Sequence, residues 1–230
     1  MLISSKVLNG INGIAKIPGD KSISHRSIII ASIANGISQI TNILKSSDVM
    51  NTINAFKLMG VQIEDTKDNI TIYGKGLNSL SKPEKKIDLG NSGTSARLLI
   101  GLLSAQNFNT YLIGDHSLSK RPMGRIIDPL IKMGADIISN NHKLPLSING
   151  KQLHSIKYFL EIPSAQVKSG IILAALFVKN ETVNGIIGKT QGVIRAISPP
   201  KSPKIKIAHK EFSLDFFSPQ SVEGLSKSTN

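Results

Sequence analysis

The sequence predicts an α+β fold, assembled from α/β repeats in which helices pack against small β-sheets. The segment FKLMGVQIE (56–64) recurs as LIKMGADII (130–138), so that Met59 and Met133 are 74 residues apart. Upstream of each copy, a turn rich in Ser and Gly opens an apolar helical segment. A third turn of this kind begins at Ile162. Such self-similarity indicates a chain built from one supersecondary unit of about 70 residues.

The first unit begins with a predicted helix. Ser22 or Ser24 can cap this helix, because a hydroxyl oxygen can accept a hydrogen bond from an N–H group of the first turn. The apolar run covers residues 28–33 and stops at Asn35-Gly36, which is a typical C-terminal signal. We therefore expect one apolar helix between the cap and this stop.

A second helix and two strands complete the predicted unit. Asp48 opens the helix, and apolar side chains recur every three or four residues until Gly60 ends it. Two short strands, residues 61–64 and 70–73, follow on either side of a polar turn. Helices and strands within the same unit favour layers of helices on sheets.

Composition limits the class of protein. Hydrophobic residues make up 40% of the chain but aromatic residues only 4%, so the core must rely on Ile and Leu. The absence of Cys excludes disulfides, thiolate metal ligands and a Cys nucleophile. The start, MLISSKVLNG, lacks the apolar core of a secretory signal, and no apolar stretch is long enough to cross a bilayer. We therefore expect a cytoplasmic protein without a membrane partner.

The charge of the chain indicates an anionic partner. Lys and Arg number 28 against 15 acidic residues, which gives a net charge of +13. The cations are spread along the chain without a block of like charges, which makes a nucleic-acid-binding arm the less favoured interpretation. The scarcity of aromatic side chains also argues against a binder of single-stranded nucleic acid. We expect small anionic molecules rather than nucleic acid.

Three turns that open helices hold the candidate binding residues. They are PGDKSISHR (18–26), LGNSGTSAR (89–97) and IPSAQVK (162–168). Helix N termini favour anions because their N–H groups are unpaired and the helix dipole is positive there, and Arg side chains can add charge-assisted hydrogen bonds. Each turn taken alone is typical of an ordinary helix cap. Three such turns in three units favour one shared anion-binding cleft.

Other polar segments leave alternatives open. The segment GDHSLSKRPMGR (114–125) is either an exposed basic helix start, with Pro122 at the first helical position, or part of the cleft. His25 is either a general acid or base or a hydrogen-bonding residue of its turn, and the lack of a visible partner favours the second role. Met59 and Met133 are predicted core residues. The sequence contains no motif for a nucleotide cofactor or a catalytic zinc ion.

Four segments resemble signatures of the 5-enolpyruvylshikimate-3-phosphate synthase family, in the order in which the family has them. They are PGDKSISHRSIIIASIA, LGNSGTSARLLIGLL, GDHSLSKRPMGRIIDPLIKMGA and IPSAQVKSGIILAAL. The resemblance implies an enzyme of chorismate and aromatic amino-acid biosynthesis. Such an enzyme transfers the enolpyruvyl group of phosphoenolpyruvate to the 5-hydroxyl of shikimate 3-phosphate and releases phosphate. It also implies a protein that is typically monomeric and needs no metal or organic cofactor.

The resemblance assigns binding roles to individual residues. For shikimate 3-phosphate these are Lys21, Ser22, Arg26, Ser164, Ala165 and Gln166, with Lys168 matching a nearby cation of the family. For phosphoenolpyruvate they are Lys21, Asn91, Gly93, Thr94, Arg97 and Arg121. These roles are positional and electrostatic. No catalytic residue is assigned, because the family's acid-base residues belong to its second half, which this sequence does not match.

The resemblance also implies how the chain is divided. Family members have two lobes around a cleft, each made of three βαβαββ units, and this sequence resembles the N-terminal half only. Residues 1–19 are then a strand segment of the second lobe, and residues 20–187 form an incomplete lobe of about two and a half units. Residues 188–230 do not resemble the family, and their composition predicts disorder. The codons of residues 190–195, read two bases later, can encode Ser-Arg-Ser-His-Thr, close to a family segment, so a frameshift near Lys189 is one hypothesis.

Two alternatives to a working enzyme of this family remain. The chain could be a non-catalytic remnant that binds anions, since negligible catalysis is expected without the second half unless a complementing polypeptide supplies it. A UDP-N-acetylglucosamine enolpyruvyl transferase shares the repeat fold. That enzyme normally uses a Cys, which this chain lacks, and its first turn differs.

Overall fold

Three successive units form the protein in a computed structural model, which describes residues 17–66, 69–178, 183–186 and 205–206. The first unit contains α1 (Lys21–Ile33), β1 (Asn35–Thr41), α2 (Ser47–Leu58), β2 (Gln62–Asp65) and β3 (Asn69–Lys75). Its antiparallel sheet has the order β1-β3-β2. Both predicted helices and both predicted strands are present, and β1 is an additional strand whose first two residues are the predicted helix stop, Asn35-Gly36.

Asp20 caps α1, so the prediction of a Ser22 or Ser24 cap was wrong. The Asp20 carboxylate accepts a hydrogen bond from the backbone N–H of Ile23 at 2.7 Å. Ser24 lies one turn inside the helix, where its hydroxyl donates to the Asp20 carbonyl at 2.7 Å. Asp is as good an N-cap residue as Ser. Because Asp20 precedes both Ser22 and Ser24, the helix begins directly after Asp20.

The second unit repeats this pattern with two additions. It contains β4 (Ile87–Asp88), α3 (Gly93–Ser104), β5 (Asn109–Ile113), α4 (His116–Lys120), α5 (Gly124–Lys132), β6 (Asp136–Asn140) and β7 (Lys143–Asn149). The sheet order is β4-β5-β7-β6, with β4 parallel to β5. Pro122 lies between α4 and α5 rather than at a first helical position, because Asp115 caps a short helix that the sequence did not predict.

The third unit has β8 (Lys157–Leu160), α6 (Ala165–Ala175), β9 (Val183–Ile186) and β10 (Ile205–Lys206). Strand β8 is parallel to β9, and β9 is antiparallel to β10. The second unit has the same arrangement, in which β4 is parallel to β5 and β5 is antiparallel to β7. The N-cap residues of α1, α3 and α6 are Asp20, Ser92 and Ser164, a spacing of 72 residues. The repeat is therefore structural as well as sequential.

Two of the predicted segments extend beyond the described residues. Of residues 1–19, the part before residue 17 lies outside the description, and of residues 188–230 only β10 lies within it. The predicted boundaries of the lobe, at residues 20 and 187, and the predicted disorder of residues 188–230 stay predictions. No helix in the described part of the chain is long and apolar enough to span a membrane.

The first helices of the second and third units touch at glycines. A Cβ atom on Gly101 of α3 would lie 2.0 Å from the carbonyl oxygen of Gly170 in α6. The two backbones can approach this closely only because neither residue has a side chain. Most other buried apolar side chains are Ile and Leu, with Phe56 the largest of the fully buried ones. The predicted burial of Met59 and Met133 is confirmed, since both are fully buried.

His25 joins α1 to the neighbouring helices. Its Nδ1 atom lies 2.8 Å from Oγ1 of Thr52 and 3.2 Å from Oγ of Ser95, and its Nε2 atom lies 3.5 Å from Oγ of Ser92. The predicted hydrogen-bonding role is thus confirmed, although the partners belong to α2 and the start of α3 rather than to the same turn. Burial lowers the pKa of His25 to about 4. The negative charge of Asp48 raises this pKa, whereas the positive charges of Lys21 and Arg26 lower it further.

The glycine contact predicts the effect of a single methyl group. Gly101→Ala should lower the free energy of unfolding by about 1–3 kcal/mol, because the methyl group meets backbone that cannot move aside. Gly124→Ala, on α5, is the matched control, since there the nearest atoms to a Cβ belong to side chains, His142 Nδ1 at 2.9 Å and Asp128 Oδ2 at 3.7 Å. Denaturant unfolding of both variants measures the difference. Equal stability of the two would contradict the close packing of α3 on α6.

The burial of His25 predicts how stability depends on pH. Its folded pKa of about 4 lies below the ordinary value of 6.5, so the unfolded chain binds the proton more readily. Full stability is present above pH 6.5 and is lost as the pH falls towards 4, by roughly 2–3 kcal/mol. Denaturant unfolding at several pH values should show this loss in the original chain and a smaller loss in His25→Asn. Identical pH profiles would refute a neutral buried imidazole.

Candidate functional site

The starts of α1, α3 and α6 lie together. Arg26 on α1 donates from Nε and Nη2 to Oγ of Ser169 on α6, at 3.2 and 3.1 Å. Arg97 on α3 donates from Nη1 to Oε1 of Gln166 at 3.0 Å, and Nε2 of Gln166 donates to Oγ1 of Thr94 at 3.0 Å. Hydrogen bonds between side chains of three units therefore hold three helix N termini against one another. We refer to Arg26, Arg97, Arg121, Gln166 and the residues that contact them as the helix-start cluster.

Arg97 is the one residue of α3 that is not buried. Besides Gln166, its guanidinium donates to the carbonyl oxygens of Gly93 at 3.0 Å and Pro122 at 3.3 Å. Partial burial lowers the pKa of Arg97, and the positive charges of Arg121 and Arg125 lower it further. Its neighbours are thus neutral oxygens and other cations. An anion bound beside them would reduce the repulsion between the positive charges.

Arg121 approaches the same helix start from the end of α4. It bonds Oδ1 of Asn91 through Nη2, and Nδ2 of Asn91 donates to a carboxylate oxygen of Asp115 at 2.8 Å. The backbone N–H of Leu118, and then the Asn91 amide, lower the pKa of Asp115. The Asp115 carboxylate therefore stays charged and orients Asn91, which in turn positions Arg121.

Gly93 gives the two guanidinium groups room at the start of α3. A Cβ atom at this position would lie 2.9 Å from Nη1 of Arg97 and 3.2 Å from Nη1 of Arg121. Both cations thus flank one helix N terminus, whose N–H groups and dipole are also positive. A carboxylate or phosphate at this point would find Arg forks and backbone donors together.

The predicted residues of the first and third turns contribute mainly backbone atoms and caps. The carbonyl oxygen of Ser22 accepts from Nη1 of Arg26 at 3.2 Å, and that of Ala165 accepts from Nη2 at 3.4 Å. Ser164 caps α6, where its hydroxyl oxygen accepts from the N–H of Val167 at 3.3 Å. Ser22 and Ala165 therefore contact the helix-start cluster through Arg26, whereas Ser164 shapes the start of α6 without contacting its defining residues.

Two predicted residues are not joined to the cluster by their side chains. Lys21, at the first position of α1, forms an ion pair with Asp48 on α2, and its side chain is 48% exposed. Lys168 donates from its backbone N–H to the carbonyl oxygen of Ser164 at 3.0 Å, and its side chain forms no salt bridge with the described residues. Both lie within one turn of a clustered helix start, so their predicted roles stay predictions.

Sequence reasoning missed two members of the cluster. Ser169 follows Ala165 by one helical turn, a spacing that places both on one helix face, but nothing local marks it as the partner of Arg26. Asp115 was visible only as a polar residue before Leu118, and its link to Asn91 joins segments 24 residues apart. Contacts of this kind depend on the packing of units and leave no local pattern.

The helix-start cluster is suited to binding anions. Within the described ranges, the salt bridges involve other residues, and none neutralises Arg26, Arg97 or Arg121. The same ranges contain no group of three or more His, Asp or Glu side chains that could hold a metal ion. Three guanidinium groups that form no salt bridge with a described residue, beside helix starts that converge, favour a ligand with carboxylate or phosphate groups.

Comparison with known proteins gives a consistent family. The family model of EPSP synthase (3-phosphoshikimate 1-carboxyvinyltransferase) matches residues 6–191. The 3-phosphoshikimate 1-carboxyvinyltransferase of Ruthia magnifica is 58% identical over 178 residues, which are 77% of this chain and 41% of that relative. The enzyme of the same name from Oceanobacillus iheyensis is 52% identical over 179 residues, 77% of this chain and 42% of the relative.

Solved structures agree with the curated relatives. The EPSP synthase of Acinetobacter baumannii superposes with a TM-score of 0.75 and 47% sequence identity, over 78% of this chain and 41% of that structure. The predicted fold, an incomplete enolpyruvyl transferase lobe of α/β repeats, is thereby confirmed. The chain spans about two fifths of the length of the relatives it matches. The chain belongs to the EPSP synthase family.

Proposed function

We propose that the chain is the part of a 3-phosphoshikimate 1-carboxyvinyltransferase that binds its two anionic substrates. The reaction transfers the enolpyruvyl group of phosphoenolpyruvate to the 5-hydroxyl of shikimate 3-phosphate and releases phosphate, on the route to chorismate and the aromatic amino acids. The observation that carries this proposal is the pair of guanidinium groups at Gly93, which Gln166 and Asn91 hold and which form no salt bridge with any described residue. Such an enzyme acts in the cytoplasm as a monomer, without nucleic acid, membrane or cofactor.

Shikimate 3-phosphate is assigned to the side of the cluster between α1 and α6. Residues proposed to contact it are Lys21, Ser22, Arg26, Ser164, Ala165, Gln166 and Lys168. The hydrogen bonds of Arg26 to Ser169 and Ala165 support this assignment, because they hold the two helix starts at a fixed separation. A phosphate placed there would accept from backbone N–H groups of two helices.

Phosphoenolpyruvate is assigned to the start of α3. Residues proposed to contact it are Lys21, Asn91, Gly93, Thr94, Arg97 and Arg121. Gln166 bonds both Arg97 and Thr94, so one side chain separates and positions the two ligand sites. Fixed groups of this kind bring reacting atoms together and stabilise developing charge.

The chemical steps need groups that this chain is not proposed to supply. The methylene carbon of phosphoenolpyruvate gains a proton, the 5-hydroxyl oxygen bonds to the adjacent carbon and loses its proton, and a tetrahedral intermediate results. Loss of phosphate and of one methyl proton then restores the double bond. The residues of the helix-start cluster bind charge throughout, whereas the acid-base groups are proposed to come from a complementing polypeptide.

The purified chain should therefore bind without turning over. Calorimetric titration should detect shikimate 3-phosphate but not shikimate, because the phosphate group provides the charged contacts. With both substrates present, phosphate release should not exceed the background without protein. Phosphate release above that background would contradict the need for complementation. Absence of heat with shikimate 3-phosphate would instead favour a remnant that has lost its ligand.

The geometry of Arg97 predicts a specific loss. Arg97→Lys keeps the charge but removes the fork that reaches Gln166 and Gly93, so affinity for phosphoenolpyruvate should fall about tenfold or more, the worth of a charge-assisted hydrogen bond. Arg125→Lys, an equal exchange at an exposed neighbour, should change affinity less than about twofold. Nuclear magnetic resonance titration with phosphoenolpyruvate, in the presence of shikimate 3-phosphate, measures both. An equal effect of the two exchanges would remove Arg97 from the proposed site.

A further inference from the structure

The turn that opens α3 has an open side and a buried side. Asn91 and Gly93 contact guanidinium groups of the helix-start cluster, whereas Ser92 and Ser95 are 1% and 0% exposed. The hydroxyl oxygen of Ser92 accepts from the backbone N–H of Ser95 at 3.1 Å and so caps the helix. Whatever holds the two serines therefore also determines where Asn91 and Gly93 lie.

The two serines form a closed ring of hydrogen bonds with His25 of α1 and Thr52 of α2. Oγ1 of Thr52 lies 2.8 Å from Nδ1 of His25 and 2.6 Å from Oγ of Ser95. Oγ of Ser95 lies 2.7 Å from Oγ of Ser92, and Oγ of Ser92 lies 3.5 Å from Nε2 of His25, the longest distance in the ring. All four side chains are buried. The ring therefore joins three helices inside the core.

A neutral imidazole completes this ring in either tautomer. Each of the three hydroxyls can donate one hydrogen and accept another, and a neutral imidazole has one N–H donor and one acceptor nitrogen. Four donors thus meet four acceptors around the ring, and the tautomer sets only the direction. A protonated imidazole has two donors and no acceptor, so it would open the ring. Burial lowers the pKa of His25 to about 4, which keeps the neutral form at ordinary pH.

We propose that His25 is a positioning residue for the phosphoenolpyruvate site, because it fixes the start of α3 against α1 through Ser92 and Ser95. This inference rests on the proposed function, which assigns phosphoenolpyruvate to the start of α3. The side chain of His25 is fully buried, so it acts on a ligand only through α3. A satisfied polar ring in the core holds its members more firmly than separate hydrogen bonds do. It thereby keeps Gly93 in place between the guanidinium groups of Arg97 and Arg121.

Two substitutions at position 25 test the role. His25→Leu keeps a buried side chain but removes both ring nitrogens, so affinity for phosphoenolpyruvate should fall about tenfold or more as the charged hydrogen bonds lose alignment. His25→Asn retains a polar atom near the position of Nδ1, within reach of Thr52 and Ser95, and should stay within about threefold of the original affinity. Nuclear magnetic resonance titration in the presence of shikimate 3-phosphate measures both. A merely structural role would change the stability of the variants but not the affinity of the folded chain.

A second pair of variants tests the ring without changing His25. Ser95→Ala removes the hydroxyl that contacts the other three members, and affinity for phosphoenolpyruvate should fall about fivefold or more. Ser104→Ala is the matched control, because Ser104 is equally buried at the other end of α3 and its hydroxyl donates to the Ile100 carbonyl at 2.7 Å. It should change the affinity less than about twofold. Circular dichroism verifies that all variants fold. Equal losses in Ser95→Ala and Ser104→Ala would contradict the proposal.

Hydrogen exchange of the Ser95 amide tests the positioning without a ligand. This N–H group donates to the capping hydroxyl of Ser92, so it should exchange about fivefold faster or more in His25→Leu than in the original chain, while the amide of Leu102 on the same helix keeps its rate. Unchanged exchange at Ser95, or equal phosphoenolpyruvate affinity of His25→Leu and the original chain, would overturn the proposal. Failure of the original chain to bind phosphoenolpyruvate would contradict the proposed function instead, and the exchange at Ser95 would still decide whether His25 holds the start of α3.

Discussion

The backbone contact between Gly101 and Gly170 determines where the charged groups of this protein lie. Arg97 and Gln166 each precede one of these glycines by four residues, and positions four apart share a helix face. Close approach of α3 and α6 at the glycines therefore brings the guanidinium and the amide within hydrogen-bonding distance, at 3.0 Å. A larger residue at either glycine would separate the helices and move the guanidinium of Arg97 away from the amide of Gln166.

This packing places like charges near one another at a cost to the folded chain. Burial and the neighbouring cations lower the pKa of Arg97, which means that its charged form is less favourable here than in water. Neutral acceptors, such as Gln166 and the Gly93 carbonyl, offset part of that cost without removing the positive potential. An anion placed beside Arg97 would supply further compensation, which is why the proposed ligands are anionic.

Local sequence patterns predicted five of the six described helices, the period and most members of the cluster, because caps and apolar spacing act within one or two turns. They failed where two local solutions compete, as at α1, where Asp20 and not Ser22 or Ser24 is the cap. They also failed to predict α4 and therefore misplaced Pro122. The pairing of Arg26 with Ser169 spans 143 residues and follows only from the assembled units. The family resemblance assigned binding roles to these residues, but it did not indicate which of them bond one another.

Equivalent positions in the three units have the same place in their helices, but their side chains differ in chemistry. His25, Arg97 and Ser169 occupy equivalent positions, 72 residues apart, five residues after the N-cap of their helices. Each contacts a neighbouring unit, but the first is a buried neutral imidazole, the second a half-buried cation and the third a hydroxyl that accepts from Arg26. A buried cation at position 25 would be repelled by Lys21 and Arg26 and could not be solvated. Because the buried His25 is neutral, the positive charge lies on the exposed side of the helix starts, where an anion can reach it.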